Sequence, residues 1–485
     1  MRIDIKLVLC SLAVHLCGSA AQAQSSSPFT PPEEALGTYV ISAGAGLDTG
    51  CTYRGGGPLR ISVPIPKVVS DKQLNADGTL IDSGKLVANG VLSAQATIRF
   101  PVFDIDDKAA TEGTYSPEVD RVSFNGRFKK TLEGFNQTWT DDSLLVPIEE
   151  IKFGQDNNLE IDIDTANSDA EYWCMAVDWV SIEFDVTPPY ILQHGIAANQ
   201  STWEEATAPG VLRALDERGV LHTRFSLGAG NGGNASVAAN AIELNRQITA
   251  FLKPLKADKV HVIAHSKGGL DTQAMQALAP EFTIMSLSTL STPHLGSVAA
   301  DLSIIQKQSA NDKINSGADP QGFAAAYVNT WTFGQGPQLP GLADLTTYAA
   351  TAALSTGQRN NIPKTYTIGA NADLNHDNDL TSNESAPLFP SAAHYAAERA
   401  WRVLRDFSSA NMTLTTVPGG IFGSRTVLTY NTVVATAPQA NDIVVTEGSA
   451  NPGYGFPINN VDANHSTVKS GANIDTILDT TLPRK

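Results

Sequence analysis

The sequence predicts an all-β sandwich over residues 37–187, followed by an α/β unit with a mostly parallel sheet flanked by helices over residues 188–485. Segments such as Arg121 to Phe128 and Val180 to Val186 have the composition of strands, and the second alternates apolar with polar residues. That period of two is typical of a strand with one buried face. After Thr187, apolar strand-like segments alternate with helical stretches, which indicates a parallel sheet.

Composition supports buried cores and argues against one class of partner. The chain has 485 residues and is 42% hydrophobic, which excludes a wholly disordered protein, and its length fits two or three domains. Fifty acidic against 33 basic residues give a formal net charge of −17, and the longest basic cluster is Lys129-Lys130. Nucleic-acid binding needs a basic patch, so we expect no nucleic-acid partner.

The N-terminus has the pattern of a secretory signal peptide over residues 1–23. Arg2 and Lys6 precede an apolar run, and a small-residue cleavage site ends at Ala23. The run is about half of the roughly 20 apolar residues that a membrane span requires, and no later segment is long enough. We therefore expect a secreted protein, extracellular or periplasmic, with residues 24–36 as a polar, proline-rich leader and no transmembrane segment.

Cleavage of this signal leaves two cysteines, Cys51 and Cys174. Cysteine pairs in an oxidising compartment usually form a disulfide, so we expect a bond between them. Two separate buried thiols are the alternative.

Ser266 is the candidate nucleophile. It lies in the segment AHSKG over residues 264–268, between an apolar strand-like stretch and a helix-compatible one. A serine on a sharp strand-to-helix turn needs small flanking residues, which Ala264 and Gly268 supply. The Lys267 backbone N–H of such a turn points at the charge that develops on a substrate oxygen.

Three motifs resemble those of the lipase and esterase branch of the α/β-hydrolase superfamily, as in secreted bacterial lipases. Val262 to Gly269 resembles the nucleophile elbow, with Ala264 in place of its first glycine, Ser291 to Ser297 resembles a T-P-H-x-G-S segment, and Gln193 to Ile196 resembles the first oxyanion loop. The resemblance spans about residues 188–485. It implies an oxyanion hole made by the backbone N–H groups of Ile196 and Lys267, and no cofactor for catalysis. The segments around Val122 to Gly126 and Tyr172 to Trp179 loosely resemble the jelly-roll modules attached to secreted enzymes.

A serine nucleophile needs an imidazole base and an orienting carboxylate, which follow the serine in the order acid, then histidine, in this fold. Four histidines follow Ser266: His294, His376, His394 and His465. His294 follows the serine too closely, His376 lies in an acidic loop and His394 lies in a helix-like segment. His465 has the N-H-x-x-V context of the family, and we predict it as the base.

The carboxylate has two candidates. Asp442 lies in a segment that resembles the N-D-G-x-V acid loop of the family, with Ile443 in place of the glycine. Asp379 is the rival because it follows a predicted strand, which is a common position for the acid. We favour Asp442.

Residues 373–384 have the spacing of a 12-residue calcium loop. Oxygen-bearing side chains occupy its alternate positions and its last position: Asp373, Asn375, Asp377, Asp379, Thr381 and Glu384. Asn378 stands where such loops have glycine. We expect a structural calcium ion, and a solvated acidic loop is the alternative.

A lid or acyl-pocket cap is predicted over residues 298–360, with ordinary packing helices as the alternative. The resemblance implies a lipase or esterase that acts on a lipid, ester or polyester substrate. A polyester depolymerase, an amidase or acyltransferase with the same triad, and a non-enzymatic surface-binding protein with a degenerate hydrolase fold are the alternatives. Oligomeric state is not predicted.

Overall fold

The computed structural model describes residues 27–41, 52–107, 117–167, 173–228, 233–301, 303–304, 340–389, 391–418 and 424–483. The predicted signal peptide, Cys51 and residues 305–339 of the predicted lid lie outside this part of the chain. Within it, no helix has both the length and the apolar character that a membrane crossing requires.

The N-terminal part is built from antiparallel strands. In chain order its elements are β1 (Thr38–Ile41), β2 (Thr52–Tyr53), β3 (Leu59–Ile65), α1 (Ser83–Ala88), β4 (Gln95–Phe103), β5 (Arg121–Phe124), β6 (Arg127–Thr131), β7 (Trp139–Pro147), β8 (Gln155–Asp162), β9 (Cys174–Val177) and β10 (Val180–Glu183). One sheet has the order β1-β10-β4-β9-β2 with β7 beside β4, and the other has the order β3-β8-β5-β6.

Alternating burial explains these strands. Ile61, Val63 and Ile65 of β3 are buried while the residues between them are exposed, as the period of two requires. The single strand predicted from Arg121 to Phe128 is wrong: Asn125 and Gly126 have φ of 48° and 78° and turn the chain into the β5-β6 hairpin. An Asn-Gly pair favours this turn because both residues tolerate positive φ.

The apolar core of the two antiparallel sheets continues into the C-terminal part. One buried cluster contains Phe100 and Phe124 of the sheets together with Leu215 and Ile474 of later helices. Trp179 is also buried and donates a hydrogen bond to the Phe29 carbonyl oxygen at 3.0 Å. The boundary at residues 187–188 stays a prediction.

The C-terminal part alternates strands with helices. Its elements are β11 (Tyr190–Gln193), α2 (Val211–Arg218), β12 (His222–Arg224), α3 (Val237–Leu252), β13 (Lys259–His265), α4 (Lys267–Gln276), β14 (Thr283–Leu290), α5 (Pro340–Ala343), α6 (Thr347–Ser355), β15 (Thr365–Asn371), α7 (Ser382–Ser385), α8 (His394–Asp406), β16 (Phe407–Pro418), β17 (Ser424–Val434), α9 (Glu447–Ala450), β18 (Phe456–Asp462) and α10 (Gly471–Thr481). Short 3-10 helices cover Arg54–Gly56, Asp71–Gln73, Ile148–Glu150, Gln200–Trp203, Lys253–Leu255 and Ser391–Ala393.

The predicted parallel sheet is confirmed. Its order is β12-β11-β13-β14-β15-β18, and every neighbouring pair is parallel. Leu244 and Ile248 of α3 pack with Val260 and Val262 of β13 in one buried cluster. β16 and β17 form an antiparallel hairpin beside this sheet, which the sequence pattern did not predict.

The strand order determines where a site can form. The chain runs from β11 outward to β12 and then returns to β13 on the other side of β11. Ligands of open α/β sheets bind at such a switch point, beyond the carboxyl ends of the strands. The residues directly after β11 and β13 are His194 and Ser266.

Candidate active site

Ser266 occupies a strained turn between β13 and α4. Its φ is 55° and its ψ is −133°, a conformation that is costly for any residue with a side chain. The Thr292 hydroxyl donates to the Ser266 carbonyl oxygen at 2.8 Å, and this hydrogen bond helps to hold the turn. Strain of this kind is characteristic of the nucleophile turn in which a serine is presented above a parallel sheet.

Two glycines allow the chain to approach this turn closely. A Cβ on Gly195 would lie 2.7 Å from the Ser266 Cβ, and a Cβ on Gly268 would lie 2.6 Å from the His194 carbonyl oxygen. Such contacts are too short for any side chain, so glycine is required at both positions. The predicted need for small residues is therefore confirmed at Gly268.

Asp442 and His465 form a buried pair. The Asp442 Oδ2 lies 2.7 Å from the His465 Nδ1, and its Oδ1 accepts the N–H groups of Val444 and Val445 at 2.9 Å and 2.7 Å. The Asp442 side chain is 1% exposed and that of His465 is 9% exposed. Because the carboxylate accepts at Nδ1, that nitrogen carries the proton, and in the neutral form of the ring Nε2 has the free lone pair.

Ile443 occupies the position at which the acid-loop pattern of the family has a glycine. Its φ is 83°, which glycine adopts freely and a β-branched residue rarely does. The Ile443 side chain is buried with Leu380 and Trp401, and this packing compensates for the strain. The chain therefore keeps the backbone shape of the loop without its glycine.

The rival acid and the other histidines lie elsewhere. Asp379 is exposed and pairs with Arg402 at 3.0 Å. His294 is fully buried between Thr289 and Tyr454, and desolvation lowers its pKa to about 3. His376 lies on the surface near Asp462, and His394 contacts the Ser385 hydroxyl. Among the described residues, His265 and His465 are the histidines that border the Ser266 cavity.

His265 contacts His465 through a hydrogen bond and a ring contact. Its Nε2 donates to the His465 carbonyl oxygen at 2.7 Å, and the two ring centroids are 4.7 Å apart. Burial lowers the pKa of His265 well below its usual value, and the positive charge of Lys469 adds to this effect. A neutral His265 can hold the His465 loop without adding a second positive charge beside it.

The predicted oxyanion residues lie on either side of Ser266. Ile196 borders the same cavity, and Lys267 is the first residue of α4. His194 helps to hold the loop that contains Ile196. Its Nε2 accepts the Leu227 N–H at 3.0 Å, and its Nδ1 donates to the Gly195 carbonyl oxygen at 2.8 Å. Burial lowers the pKa of His194, which favours this neutral form.

The Lys267 side chain anchors the N-terminus of α4. Its Nζ lies 2.7 Å from the Asp271 Oδ1, and Asn240 donates to the other Asp271 oxygen at 3.0 Å. Both ionic side chains are buried, and desolvation raises the pKa of Asp271 to about 6 despite the neighbouring lysine. The i, i+4 spacing was the sequence signal for this pair, which the sequence analysis missed.

Ser266 and His465 open into one cavity of about 290 Å³ with largely apolar walls. The side chains that form those walls are Ile196, Leu342, Leu345, Leu388, Phe389, Ile443 and Val444. Leu342 and Leu345, in the described part of the predicted lid segment, line the cavity, and the lid stays a prediction because residues 305–339 lie outside the described chain. Lys469 also borders the cavity, and nothing in its sequence context indicated that position.

Carboxylate oxygens of the acidic loop accept hydrogen bonds from backbone N–H groups of the same loop. The Asp373 carboxylate accepts the N–H groups of Asp377 and Asn378 at 3.1 Å and 2.9 Å. Glu384 accepts the N–H groups of Thr381 and Leu374 at 2.7 Å and 2.9 Å, and with Thr381 it forms a capping box at α7.

Asn375 donates to Asp377, and Asp379 pairs with Arg402. In the described chain, no group of three or more His, Cys, Asp or Glu residues has the arrangement to hold a metal ion. Each carboxylate oxygen that accepts one N–H keeps a second lone pair, so the calcium ion and its ligands stay a prediction.

Cys174 takes part in a disulfide. It opens β9 and is paired in register with Tyr53 of β2. Cys51 lies outside the described residues, so the bond between Cys51 and Cys174 stays a prediction.

Comparisons with known proteins found similarity to serine esterases and lipases. Residues 190–317 match the family model described as "Putative serine esterase (DUF676)", a segment that contains β11 to β14 and Ser266. The chain is 34% identical over 93 residues to triacylglycerol lipases of Pseudarthrobacter phenanthrenivorans and Burkholderia plantarii. The alignments cover 18% of this chain and 26% and 23% of those lipases, so the chain spans about a quarter of the length of these relatives.

Among solved structures, the mature form of the Bacillus licheniformis lipase BlEst2 is similar, with 17% sequence identity and a TM-score of 0.40 over 61% of this chain and 91% of that chain. The family match and the lipase relatives show that part of this chain is similar to serine esterases and triacylglycerol lipases.

Proposed function

We propose that this protein is a secreted serine hydrolase that cleaves carboxylic esters through an acyl-enzyme on Ser266. The observation that carries the proposal is the buried Asp442–His465 pair at 2.7 Å, whose histidine borders the same cavity as the strained Ser266. An alcohol becomes a useful nucleophile only when an oriented imidazole removes its proton. This arrangement supplies the serine, the base and the carboxylate that such a reaction needs.

In the proposed reaction, the Ser266 Oγ attacks the ester carbonyl carbon while the His465 Nε2 takes the hydroxyl proton. Asp442 stabilises the imidazolium that forms, and the N–H groups of Ile196 and Lys267 bind the oxyanion. Collapse of the tetrahedral intermediate breaks the bond to the alcohol, which leaves with the proton from His465. Water then attacks the acyl-enzyme with His465 again as base, which releases the acid and regenerates Ser266.

The cavity favours an acyl or alkyl chain as its occupant. Its described walls are mostly aliphatic and aromatic, and burial of apolar chains contributes about 0.8 kcal/mol per methylene. The relatives described as triacylglycerol lipases support a lipid ester as the substrate. We include a polyester among the candidate substrates because its repeating unit presents the same ester and apolar segments.

Secretion and the N-terminal sandwich are parts of the same proposal. The signal pattern before Ala23 supports export, and the antiparallel sheets of β1 to β10 support a separate sandwich domain. N-terminal sequencing of protein recovered from the medium or periplasm tests the cleavage site.

Labelling with a fluorophosphonate tests the proposed nucleophile. We expect stoichiometric modification of the wild-type protein at Ser266 and none in Ser266→Ala. Hydrolysis of p-nitrophenyl butyrate should fall by about 10⁴-fold or more in that variant. Folded wild-type protein that takes up no label and cleaves no ester would instead indicate a surface-binding protein with a degenerate hydrolase fold.

A further inference from the structure

Lys469 is a buried cation at the wall of the proposed catalytic cavity. It lies four residues after His465 and is 5% exposed. Its Nζ donates to the Thr202 hydroxyl at 2.9 Å, and Thr202 borders the same cavity. The proposed reaction does not use this ammonium group.

The described surroundings of Lys469 lack a compensating acid. The cavity walls contain no aspartate or glutamate among the described residues. Burial lowers the pKa of Lys469 to about 8, so the side chain is mostly charged near neutral pH. Burying an ammonium group without a counter-ion is costly, and a single hydroxyl acceptor only partly offsets that cost.

The charge of Lys469 acts on the proposed reaction centre. Desolvation lowers the pKa of His265, and the positive charge of Lys469 lowers it further. His265 in turn contacts His465. The formal net charge of the whole chain is −17, so this buried positive charge is a local exception. An anionic group that entered the cavity would meet an ammonium in surroundings of low dielectric constant, where the attraction is strong.

We propose that Lys469 binds a carboxylate at the far end of the substrate, so that the cavity accepts half-esters of dicarboxylic acids as well as neutral esters. This inference rests on the proposed esterase function. The ester lies at Ser266, the methylene chain contacts the apolar walls, and the terminal carboxylate accepts hydrogen bonds from the Lys469 Nζ. Cleavage of a polyester from its acid end presents the same chemistry.

Matched ester pairs test the role of Lys469. We would measure kcat/KM for the monomethyl and dimethyl esters of succinic, glutaric and adipic acid. For each acid, the ratio is the kcat/KM of the monomethyl ester divided by that of the dimethyl ester. The wild-type ratio should exceed one for at least one chain length, and Lys469→Met should lower it by about tenfold or more. Lys469→Arg should retain part of the preference, while the exposed-lysine control Lys253→Met should keep the wild-type ratio.

The pH dependence in the wild-type protein gives a test that needs no variant. The ratio should fall as the pH rises through about 8, because Lys469 loses its charge while the substrate carboxylate stays ionised. His265 and His465, the other ionisable side chains among the described cavity walls, affect both esters of a pair and cancel in the ratio.

A ratio that is the same in Lys469→Met and wild type, or a wild-type ratio that stays flat from pH 6 to about 10, would overturn the inference. A wild-type enzyme that cleaves the dimethyl esters but rejects every half-ester would also overturn it. Failure to cleave any ester, together with failure of fluorophosphonate labelling, would instead overturn the proposed function.

Discussion

Asp442 and Asp379 lie in two acid-bearing loops of the same α/β unit, and their environments are opposite. The Asp442 side chain is 1% exposed and contacts His465, whereas that of Asp379 is 60% exposed and pairs with Arg402. Two backbone N–H groups fix the first carboxylate, while water competes for the second. Burial and hydrogen bonds from the backbone therefore distinguish an acid that can orient a base from one that cannot.

Matched substitutions at the two aspartates give the largest expected difference. Asp442→Asn should lower kcat for p-nitrophenyl butyrate by about 10⁴-fold, because an amide favours the wrong tautomer of His465. Asp379→Asn should stay within about twofold of wild type, since it removes only an exposed ion pair. The opposite result, with Asp379→Asn inactive and Asp442→Asn active, would make Asp379 the acid.

Substitutions at Ile443 test the backbone strain of the Asp442 loop. Ile443→Ala and Ile443→Gly both lose buried contacts, at a cost of about 2–5 kcal/mol for this kind of truncation. The Ile443→Gly variant should be more stable than Ile443→Ala by about 1 kcal/mol, because alanine keeps the energetic penalty of positive φ and glycine does not. Denaturant unfolding of both variants measures this difference, and a more stable alanine variant would show that the loop is unstrained.

A second pair of acids, Glu118 and Asp120, is buried without a basic partner in the described contacts. Desolvation raises the pKa of both carboxyls, and the charge of Asp120 raises that of Glu118 further. A raised carboxyl pKa contributes stability that is fully present below the unfolded pKa near 4 and is lost as the pH rises through the folded pKa. Asp442, by contrast, has His465 and two backbone N–H groups as hydrogen-bond partners.

Glu118→Gln should therefore reduce the loss of stability at high pH. We expect the fall in Tm between pH 5 and about pH 9 to be smaller in this variant than in wild type by about 2–4 °C. Thermal scans at both pH values measure the effect, with the exposed Glu160→Gln as control. Identical pH profiles for wild type and Glu118→Gln would contradict the expected ionisation of this pair.

Chelation should have the smallest effect. If Asp373, Asp377 and Glu384 help to hold a calcium ion, EDTA should lower the Tm by about 1–2 °C, because a bound ion stabilises the folded state. An unchanged Tm on chelation, or an equal fall in Asp377→Asn and wild type, would contradict the predicted calcium site.

Sequence reasoning was most successful where the physical requirement is local. Period-two alternation predicted β10, and the apolar segment before Ser266 predicted β13. It failed at Asn125, where a tight turn interrupts one strand pattern, and it did not predict the β16-β17 hairpin. The oxygen spacing of the acidic loop predicts a cation site, but spacing alone does not show whether the folded loop brings these oxygens to one point.

The sequence by itself determined the turn at Ser266, because its requirements for small neighbours, a preceding strand and a following helix are met within about ten contiguous residues. Only the tertiary structure decided that Asp442 contacts His465, that Asp379 pairs with Arg402, and that Lys469 lies at the cavity wall. Those outcomes depend on which loops pack together at the carboxyl edge of the sheet and on which carboxylates lose their water. Burial of a charge is set by neighbours that are distant in sequence, and no local pattern encodes it.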